Sequence, residues 1–274
     1  MVDTRFSYSR PAVFRSWSGR LFLWPGRALW LGHAARTGVH AHHALQVCVA
    51  LEAPLRLREA LGVRWRRTEA AIILPDRSHQ ADARGRLVAF LYLDPEDAIA
   101  RRLGGARMGI RHLQPARLAR PRQQLRALCE SDARAGEVAT ACDAVLAVLQ
   151  SETAPRSAPI DPRIRRAWAH IRGAPDHRVR IAQAAATVGL SPGRFAHLFR
   201  EQTGLPLRRY ELWLRLQDAL AELARGASLT AGAHAAGFAD APHMTRTFRR
   251  MLGIAPSELT RDSTFVQAAV APVS

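Results

Sequence analysis

The chain has 274 residues, and all 40 of its basic residues are arginines, against 23 acidic residues. The resulting net charge of +17 favours a polyanionic partner, and nucleic acid is the leading candidate. The longest apolar runs, such as LQVCVAL at 45–51, are too short to cross a membrane, and the first ten residues lack a signal-peptide segment. We therefore expect a cytoplasmic protein of about two domains with no membrane partner.

Residues 20–93 are predicted to be β-rich. Strand-like runs are separated by Pro, Gly, Asp and His, a spacing typical of a small sandwich or barrel. The runs are FLWPGRALWLG, LQVCVAL, PLRLR, AAIILP and LVAFLYL.

The chain has three cysteines, Cys48, Cys129 and Cys142, and no C-x-x-C pair, which indicates buried thiols in a reducing compartment.

Three helices are predicted after the strands. The first follows Asp94, a candidate N-cap, with Pro95 at its first position. Two more cover about 115–130 and 136–150, and the last has an apolar face at i, i+3, i+4 and i+7 spacing. This hairpin either covers the β-rich region or pairs with another subunit, and the sequence leaves both open. The face consists of Val138, Ala141, Cys142, Val145, Leu146 and Leu149.

A proline-rich, small and polar stretch, SETAPRSAPIDP, is the best candidate for a linker. It divides the chain into a first domain at 1–150, a linker at 151–162 and a helical domain at 163–262. Residues 263–274 are predicted to be a loose tail.

One sequence pattern occurs twice in the helical domain. FAHLFREQTGLP at 195–206 and MTRTFRRMLGIAP at 244–256 both place a Phe-Arg pair shortly before a glycine, an aliphatic residue and a proline. Phe199 and Phe248 are 49 positions apart, as are Gly204 and Gly253. A repeat at this spacing indicates two copies of one supersecondary unit.

Each copy is predicted to be a helix-turn-helix. In the first, Gly189 ends a helix and Ser191 caps the next, which directs Phe195 and Phe199 inward and leaves one face free. In the second, Gly237 and Asp240 take these two roles, and Met244, Phe248 and Leu252 form the inner face. An α-helix fits the major groove of B-DNA, so the free faces are candidates for reading bases.

The segment between the two copies, LRRYELWLRLQDALAELARG, is predicted to be one helix of about 18 residues and about 27 Å. Such a strut can hold two reading helices about one DNA turn apart, roughly 34 Å. Both helices would then enter successive major grooves on one side of the duplex.

Residues 175–262 resemble the AraC/XylS family of bacterial transcription regulators. The resemblance rests on the two helix-turn-helix units, the connecting helix and the segment GFADAPHMTRTFRRMLGIAPSEL, which occur in the family's order. The resemblance implies an α+β chain, in which a β-rich cupin-like domain with a helical hairpin precedes an all-α tandem helix-turn-helix domain. It also implies an effector-responsive activator that binds double-stranded DNA beside a promoter and contacts RNA polymerase. A homodimer is left open.

The same resemblance assigns the DNA contacts. Four of the base-contacting positions carry no long polar side chain, so direct readout would depend on the remaining four, and DNA shape would contribute more. Base contacts fall on Gly193, Arg194, Ala196, His197, Ala241, Pro242, His243 and Arg246, and phosphate contacts on Arg200, Arg249 and Arg250.

The N-terminal domain resembles the cupin-like effector or oligomerisation domain of this family in element order and length. We expect it to bind an unknown small-molecule effector in its β-core, near its histidines and tryptophans. The predicted pocket consists of Trp24, Trp30, His40, His42, Gln46, Trp65 and His79.

His40, His42 and His79 imitate the H-x-H and later histidine of cupin metalloenzymes, since residues 40 and 42 of a strand face the same side. Gln46 stands where an acidic ligand would help, and the later motif lacks its glycine. We therefore predict pocket lining, with no metal, no cofactor and no enzyme activity. The alternatives are a cupin-type metalloenzyme fused to a DNA-binding domain, and a ligand-independent regulator.

Overall fold

The β-rich region folds into a mostly antiparallel sheet. The structure is a computed structural model that describes residues 17–104, 109–151 and 159–267. Along the main path the strand order is β8-β6-β3-β7-β2-β1-β9, and β4 pairs with both β5 and the start of β7. The strands are β1 Ser18–Trp24, β2 Arg27–Arg36, β3 Leu45–Ala50, β4 Leu55–Arg58, β5 Arg66–Thr68, β6 Ala70–Ile73, β7 Gln80–Leu93, β8 Ile110–His112 and β9 Asp262–Gln267.

Both faces of the sheet are buried. All six residues of the central strand β3 are buried, and they alternate between two hydrophobic cores. Val47 and Val49 face a core that the helical hairpin covers, whereas Cys48 faces a core closed in part by Ile254 and Leu259 from the C-terminal region. The sheet is therefore the middle layer between two sets of helices.

The predicted hairpin covers one face of the sheet. Its helices are α2 Ala119–Cys129, preceded by a 3-10 turn at Pro115–Leu118, and α3 Ala135–Ser151. Every residue of the predicted apolar face of α3 is buried in the core of the sheet. The hairpin therefore uses this face to cover the β-rich region, which is one of the two alternatives that the sequence leaves open.

The first predicted helix begins three residues later than expected. Helix α1 spans Ala98–Leu103, and the side chain of Asp97 accepts hydrogen bonds from the main-chain N–H groups of Ile99 and Ala100. Asp94, the predicted cap, instead accepts hydrogen bonds from distant helices, so the prediction was wrong at this residue.

The C-terminal region contains seven α-helices within the described residues. The two predicted helix-turn-helix units form two cores that share one long helix, α7. Leu207, Tyr210 and Leu214 of α7 pack in the first core, and Leu216 and Ala219 pack in the second. The helices are α4 Pro162–Gly173, α5 Ile181–Ala186, α6 Pro192–Thr203, α7 Leu207–Ala224, α8 Leu229–Ala235, α9 Ala241–Leu252 and α10 Pro256–Thr260.

The prediction of a loose tail at 263–274 is wrong for residues 263–267. Residues Asp262–Gln267 form β9, which pairs in parallel with β1 over the register Ser18 to Leu23. The rest of that tail and residues 152–158 of the predicted linker lie outside the described residues. On either side of the linker, α3 continues through Ser151 and α4 begins after its cap, Asp161.

The three thiols are free and their environments raise their pKa values. Cys48 and Cys142 are buried, and Cys129 is half-buried. Burial raises the thiol pKa to about 12 at Cys142 and to about 11 at Cys129. In the described part of the chain, no helix combines the length and the apolar character needed to span a bilayer.

Two carboxylates at the end of β7 join the two regions. Asp94 accepts hydrogen bonds from Trp213 Nε1 at 3.0 Å and Gln217 Nε2 at 2.6 Å, both on α7. Arg172 of α4 contacts Asp94 at 3.1 Å and Glu96 at 2.9 Å, and the Tyr210 hydroxyl donates to Glu96. Burial raises the pKa of Glu96, while the Arg172 charge opposes that shift.

We expect Arg172→Met to loosen this junction. The substitution leaves two largely buried carboxylates without a cation, so the free energy of unfolding should fall by about 2 kcal/mol. Because the Arg172 side chain is 36% exposed, the loss should be smaller than for a fully buried pair. Urea denaturation measures the change.

The matched control is Arg165→Met on the exposed side of the same helix, for which we expect a change within about 0.5 kcal/mol. Equal losses for the two variants would contradict the assigned role of Arg172.

Candidate DNA-binding surface and regulatory sites

Helix α6 presents an exposed face beside a buried aromatic one. The Ser191 hydroxyl accepts a hydrogen bond from Arg194 N, and Gly189 adopts a left-handed φ of 66° in the turn before it. Phe195 and Phe199 are fully buried, with ring centroids 5.4 Å apart. The predicted contact residues Gly193, Arg194, His197 and Arg200 are exposed, and Ala196 is half-buried.

Helix α9 repeats this design at the other end of α7. Asp240 Oδ1 accepts a hydrogen bond from His243 N at 2.5 Å, and Gly237 takes the left-handed turn with φ 71°. Met244, Phe248 and Met251 are buried, so Met251 takes the inner position that we assigned to the half-buried Leu252. Among the predicted contact residues, Pro242, Arg246, Arg249 and Arg250 are exposed, and Ala241 and His243 are half-buried.

Arg250 lies at the junction with the N-terminal domain. Its main-chain carbonyl accepts a hydrogen bond from Ala41 N at 3.2 Å, and the residue lines a groove with His40 and Asp76. The main chain at Arg250 therefore contacts the loop at 37–43, while the residue, a predicted phosphate contact, is exposed.

A basic groove next to α6 was missed in the sequence analysis. It is open to solvent and is lined by His197 and Arg200 together with four more arginines. Arg178 also donates a hydrogen bond to the Gly237 carbonyl at 2.9 Å, which ties the first unit to the turn of the second. The signal was present in the basic segments RVRIAQ and LRRYELWLR. The four arginines are Arg178, Arg180, Arg208 and Arg215.

The predicted effector residues are distributed over three places. Trp24 and Trp30 line a cavity between the sheet and α7. Trp65 lies elsewhere, half-buried among Arg36, Arg56 and Arg58, whose guanidinium carbons are 4.6–5.3 Å from its ring centroid. The histidines and Gln46 form a separate buried cluster, so the seven residues do not share one pocket.

The cavity has a volume of about 510 Å³ and lies at the domain junction. Its walls are mostly apolar and include Trp17, Trp30 and Leu220. The indole N–H groups of Trp17 and Trp30 are buried and have no hydrogen-bond partner among the described residues. The polar part of the wall includes Asp94 and Gln217 from the junction described above.

His40, His42 and His79 lie together beneath α9 and are almost completely buried. One ligand nitrogen of each lies within 4.8 Å of the others. The main chains of His40 and His79 pair through two hydrogen bonds of 3.0 and 2.8 Å, which bring the two loops together. The sequence predicted that these three histidines lie together, which the structure shows, but His40 and His42 lie in a loop and not in the strand on which that prediction relied.

Each histidine ring of this cluster is held by a main-chain carbonyl. The Nδ1 atoms donate to the carbonyls of Gly38, Ala44 and Arg77 at 2.8–2.9 Å, which leaves the Nε2 atoms with lone pairs in the neutral rings. His42 Nε2 faces the carboxamide of Gln46 at 2.9 Å.

Burial lowers the pKa of all three rings. The neighbouring His42 adds to burial in lowering the pKa of His40 to about 3, and His40 and His42 likewise add to the lowering at His79. The three imidazoles are therefore neutral at physiological pH.

Known proteins are similar to this chain in two ways: some match the sequence of the helical region, and others share the fold of the whole chain. A family model described as a helix-turn-helix domain matches residues 184–262. The arabinose operon regulatory protein of Escherichia coli (strain K12) is 35% identical over 103 residues, which are 36% of this chain and 35% of that protein. Its counterpart from Salmonella typhimurium is also 35% identical over 103 residues. The chain thus spans about a third of the length of the curated relatives it matches.

Solved structures of ToxT from Vibrio cholerae share the fold of both regions. One covers 86% of this chain and 97% of its own, with a TM-score of 0.57 and 10% identity. Another, of wild-type ToxT bound to an unsaturated fatty acid, covers 85% of this chain and 94% of its own with a TM-score of 0.54 and 9% identity. At this identity the likeness concerns the α+β fold alone.

The duplicated caps, the two exposed helix faces and the relatives therefore lead to one conclusion: residues 184–262 form a helix-turn-helix domain similar to part of the arabinose operon regulatory proteins.

Proposed function

We propose that the protein is a DNA-binding transcription regulator whose helices α6 and α9 enter successive major grooves of one duplex. The observation that carries this proposal is the pair of exposed faces on these helices, each backed by a buried aromatic core at one end of the 18-residue helix α7. A helix of this length is about 27 Å long and suits a spacing of about one DNA turn.

The exposed side chains suggest how bases are read. Arg194 and Arg246 are exposed on the two faces, and a guanidinium can donate two hydrogen bonds to the O6 and N7 atoms of guanine. The small residues Gly193 and Ala196 let the backbone of α6 come close to the duplex, where sequence-dependent shape contributes. The basic groove beside α6 adds phosphate contacts.

Selection of bound duplexes from a random pool tests this arrangement. We expect two sequence motifs separated by one helical turn, about 10.5 base pairs. Enrichment of a single motif would show that only one helix reads DNA.

We further propose that the cavity at the domain junction binds the effector. The mostly apolar walls favour a predominantly apolar molecule. The unsaturated fatty acid bound to wild-type ToxT has this chemistry. Because β-sheet, α7 and the end of α9 all line the cavity, a ligand there can favour one arrangement of the two domains over another.

Activation of transcription, contact with RNA polymerase and a homodimer remain predictions that the family resemblance supports. We propose a regulator rather than an enzyme, since the family matched by residues 184–262 is one of DNA-binding domains.

For Arg246→Ala we predict a relaxed preference at one base position and a loss of about 1–3 kcal/mol of binding free energy, because one base contact is removed. For Arg249→Ala we predict a similar loss on selected and random duplexes, because a phosphate contact carries no sequence information. Fluorescence anisotropy with both kinds of duplex measures the difference. The control is Arg120→Ala, at an exposed residue of α2, which should change the affinity for neither kind of duplex.

We also predict a steep salt dependence. With about six phosphate contacts, affinity should fall roughly a thousandfold between 50 and 200 mM salt, and Arg249→Ala should reduce the slope of log K against log salt by about one. A shallow slope would mean that the net charge of +17 does not act through phosphates.

Filling the cavity should block effector binding. Ala221 of α7 lines the cavity, and Ala221→Phe should weaken binding of palmitoleate, an unsaturated fatty acid, by at least tenfold because the ring occupies the ligand's space. Titration followed by tryptophan fluorescence measures this affinity. Trp65→Phe, outside the cavity, is the control and should bind as the parent chain does. Unchanged affinity in Ala221→Phe would place the ligand elsewhere.

A further inference from the structure

We propose that His40, His42 and His79 bind one divalent first-row transition metal ion of the Zn²⁺, Co²⁺ or Ni²⁺ type, and that α9 senses this ion. The first half of the proposal concerns the N-terminal domain alone. The second half rests on the proposed function, because it makes the metal a regulator of DNA binding. The proposal departs from our sequence-based prediction that these residues only line a pocket.

The donor atoms are close enough to share one ion. A tetrahedral site with metal–nitrogen distances of about 2.0–2.1 Å has donor atoms about 3.4 Å apart. The three ligand nitrogens already lie within 4.8 Å of one another, so small rotations of the rings are sufficient. The ring centroids are 4.1–5.6 Å apart, which packs the three imidazoles around one point.

The rings are held as metal-binding histidines are held. A ligating imidazole usually donates its other N–H to a carbonyl or carboxylate, which fixes the tautomer and the ring orientation. Here each Nδ1 bonds a main-chain carbonyl, so Nε2 is the atom that can ligate, and at His42 the ion would replace the contact of Nε2 with Gln46. His79 Nε2 is buried without a partner among the described residues, an unsatisfied lone pair that an ion would satisfy.

The chemistry of the donors selects the ion. Neutral imidazoles suit borderline transition metals, whereas Mg²⁺ and Ca²⁺ prefer oxygen ligands. The carboxamide of Gln46, 2.9 Å from His42 Nε2, can add a neutral oxygen as a fourth ligand. The nearby carboxylate of Asp76 is hydrogen-bonded to His43 Nδ1 at 3.2 Å, so it contributes charge rather than a ligand.

The site is connected to the second reading helix. The loop that carries His40 donates two main-chain hydrogen bonds to the end of α9, from Gly38 N to the Gly253 carbonyl at 2.6 Å and from Ala41 N to the Arg250 carbonyl at 3.2 Å. Gly253 is the left-handed cap of α9, with φ 73°. A Cβ at this position would lie 2.6 Å from His40 Nδ1, so the cap and the ring are in direct contact.

This contact provides a route from the ion to DNA. An ion that fixes the His40 ring also fixes the loop at 37–43, and with it the seat of the C-terminal end of α9. The ion therefore stabilises the docked arrangement of α9 relative to any arrangement in which this end moves. A differential stabilisation of two states is what a regulatory ligand requires.

The test uses the full chain after removal of metal with a chelator. Co²⁺ is added alone, and its visible d–d absorption is followed. We expect one equivalent of Co²⁺ to give the intense bands of a tetrahedral site, and Zn²⁺ to displace them. His79→Gln should abolish the bands, whereas His43→Gln, a neighbour that the cluster does not include, should keep them. Bands that persist in His79→Gln, or their absence in the parent chain, would overturn the proposed site.

A second variant keeps the test decisive if His79→Gln does not fold. Gln46→Glu places an anionic oxygen beside the same ion, so Zn²⁺ should bind at least tenfold more tightly and raise the melting temperature by a larger increment than in the parent chain. Unchanged Zn²⁺ affinity in Gln46→Glu would show that the ion is not held at this cluster.

The regulatory half is measured separately. Zn²⁺ should change the affinity for a selected duplex by at least fivefold in the parent chain and in His43→Gln, and should leave it unchanged in His79→Gln. If His79→Gln is unfolded, Gln46→Glu replaces it, and the change in DNA affinity should then occur at a lower Zn²⁺ concentration than in the parent chain. Co²⁺ bands without a change in DNA affinity would overturn the coupling to α9. DNA binding without metal binding would overturn this inference and leave the proposed function standing, whereas metal binding without any DNA binding would refute the proposed function.

Discussion

The carboxylates of Asp94 and Glu96 hold the two regions of the molecule together, and Asp94 also lines the cavity between them. Burying two acids is costly unless they receive hydrogen bonds and a counter-charge. Arg172 supplies the charge, and Trp213, Gln217 and Tyr210 supply donors. Because three of these partners lie on α7, the acids fix the helix that connects the two reading helices, and Asp94 also forms part of the cavity wall. Ligand binding, domain arrangement and the aim of the reading helices therefore share one set of contacts.

The parts of the fold that sequence predicted are those whose signals are local. Gly189, Ser191, Gly237 and Asp240 mark turns and caps within a few residues of the helices they delimit, and the structure has all four in those roles. The length of α7 and the apolar face of α3 follow from a period of 3.6 residues in the same way. The comparisons with known proteins independently confirm the AraC/XylS resemblance for the helical region.

The parts that sequence did not predict depend on contacts between distant residues. Asp94 satisfies every local criterion for a cap, yet its partners are 78–123 positions away along the chain. The residue types of Trp24, Trp65 and the histidines suggested one shared effector pocket, but only the path of the strands shows that these residues lie in three different environments. The role of the histidines is a related case, since their anchoring by main-chain carbonyls is invisible in the H-x-H spacing.

Strand β9 restricts how the DNA-binding region can move. It begins two residues after α10 and runs in parallel beside β1 for six residues, while Gln267 donates a hydrogen bond to the Ala221 carbonyl on α7. The helical region is thus fastened to the edge of the sheet by its own C-terminal segment. The helices cannot swing clear of the sheet without first unzipping this ladder.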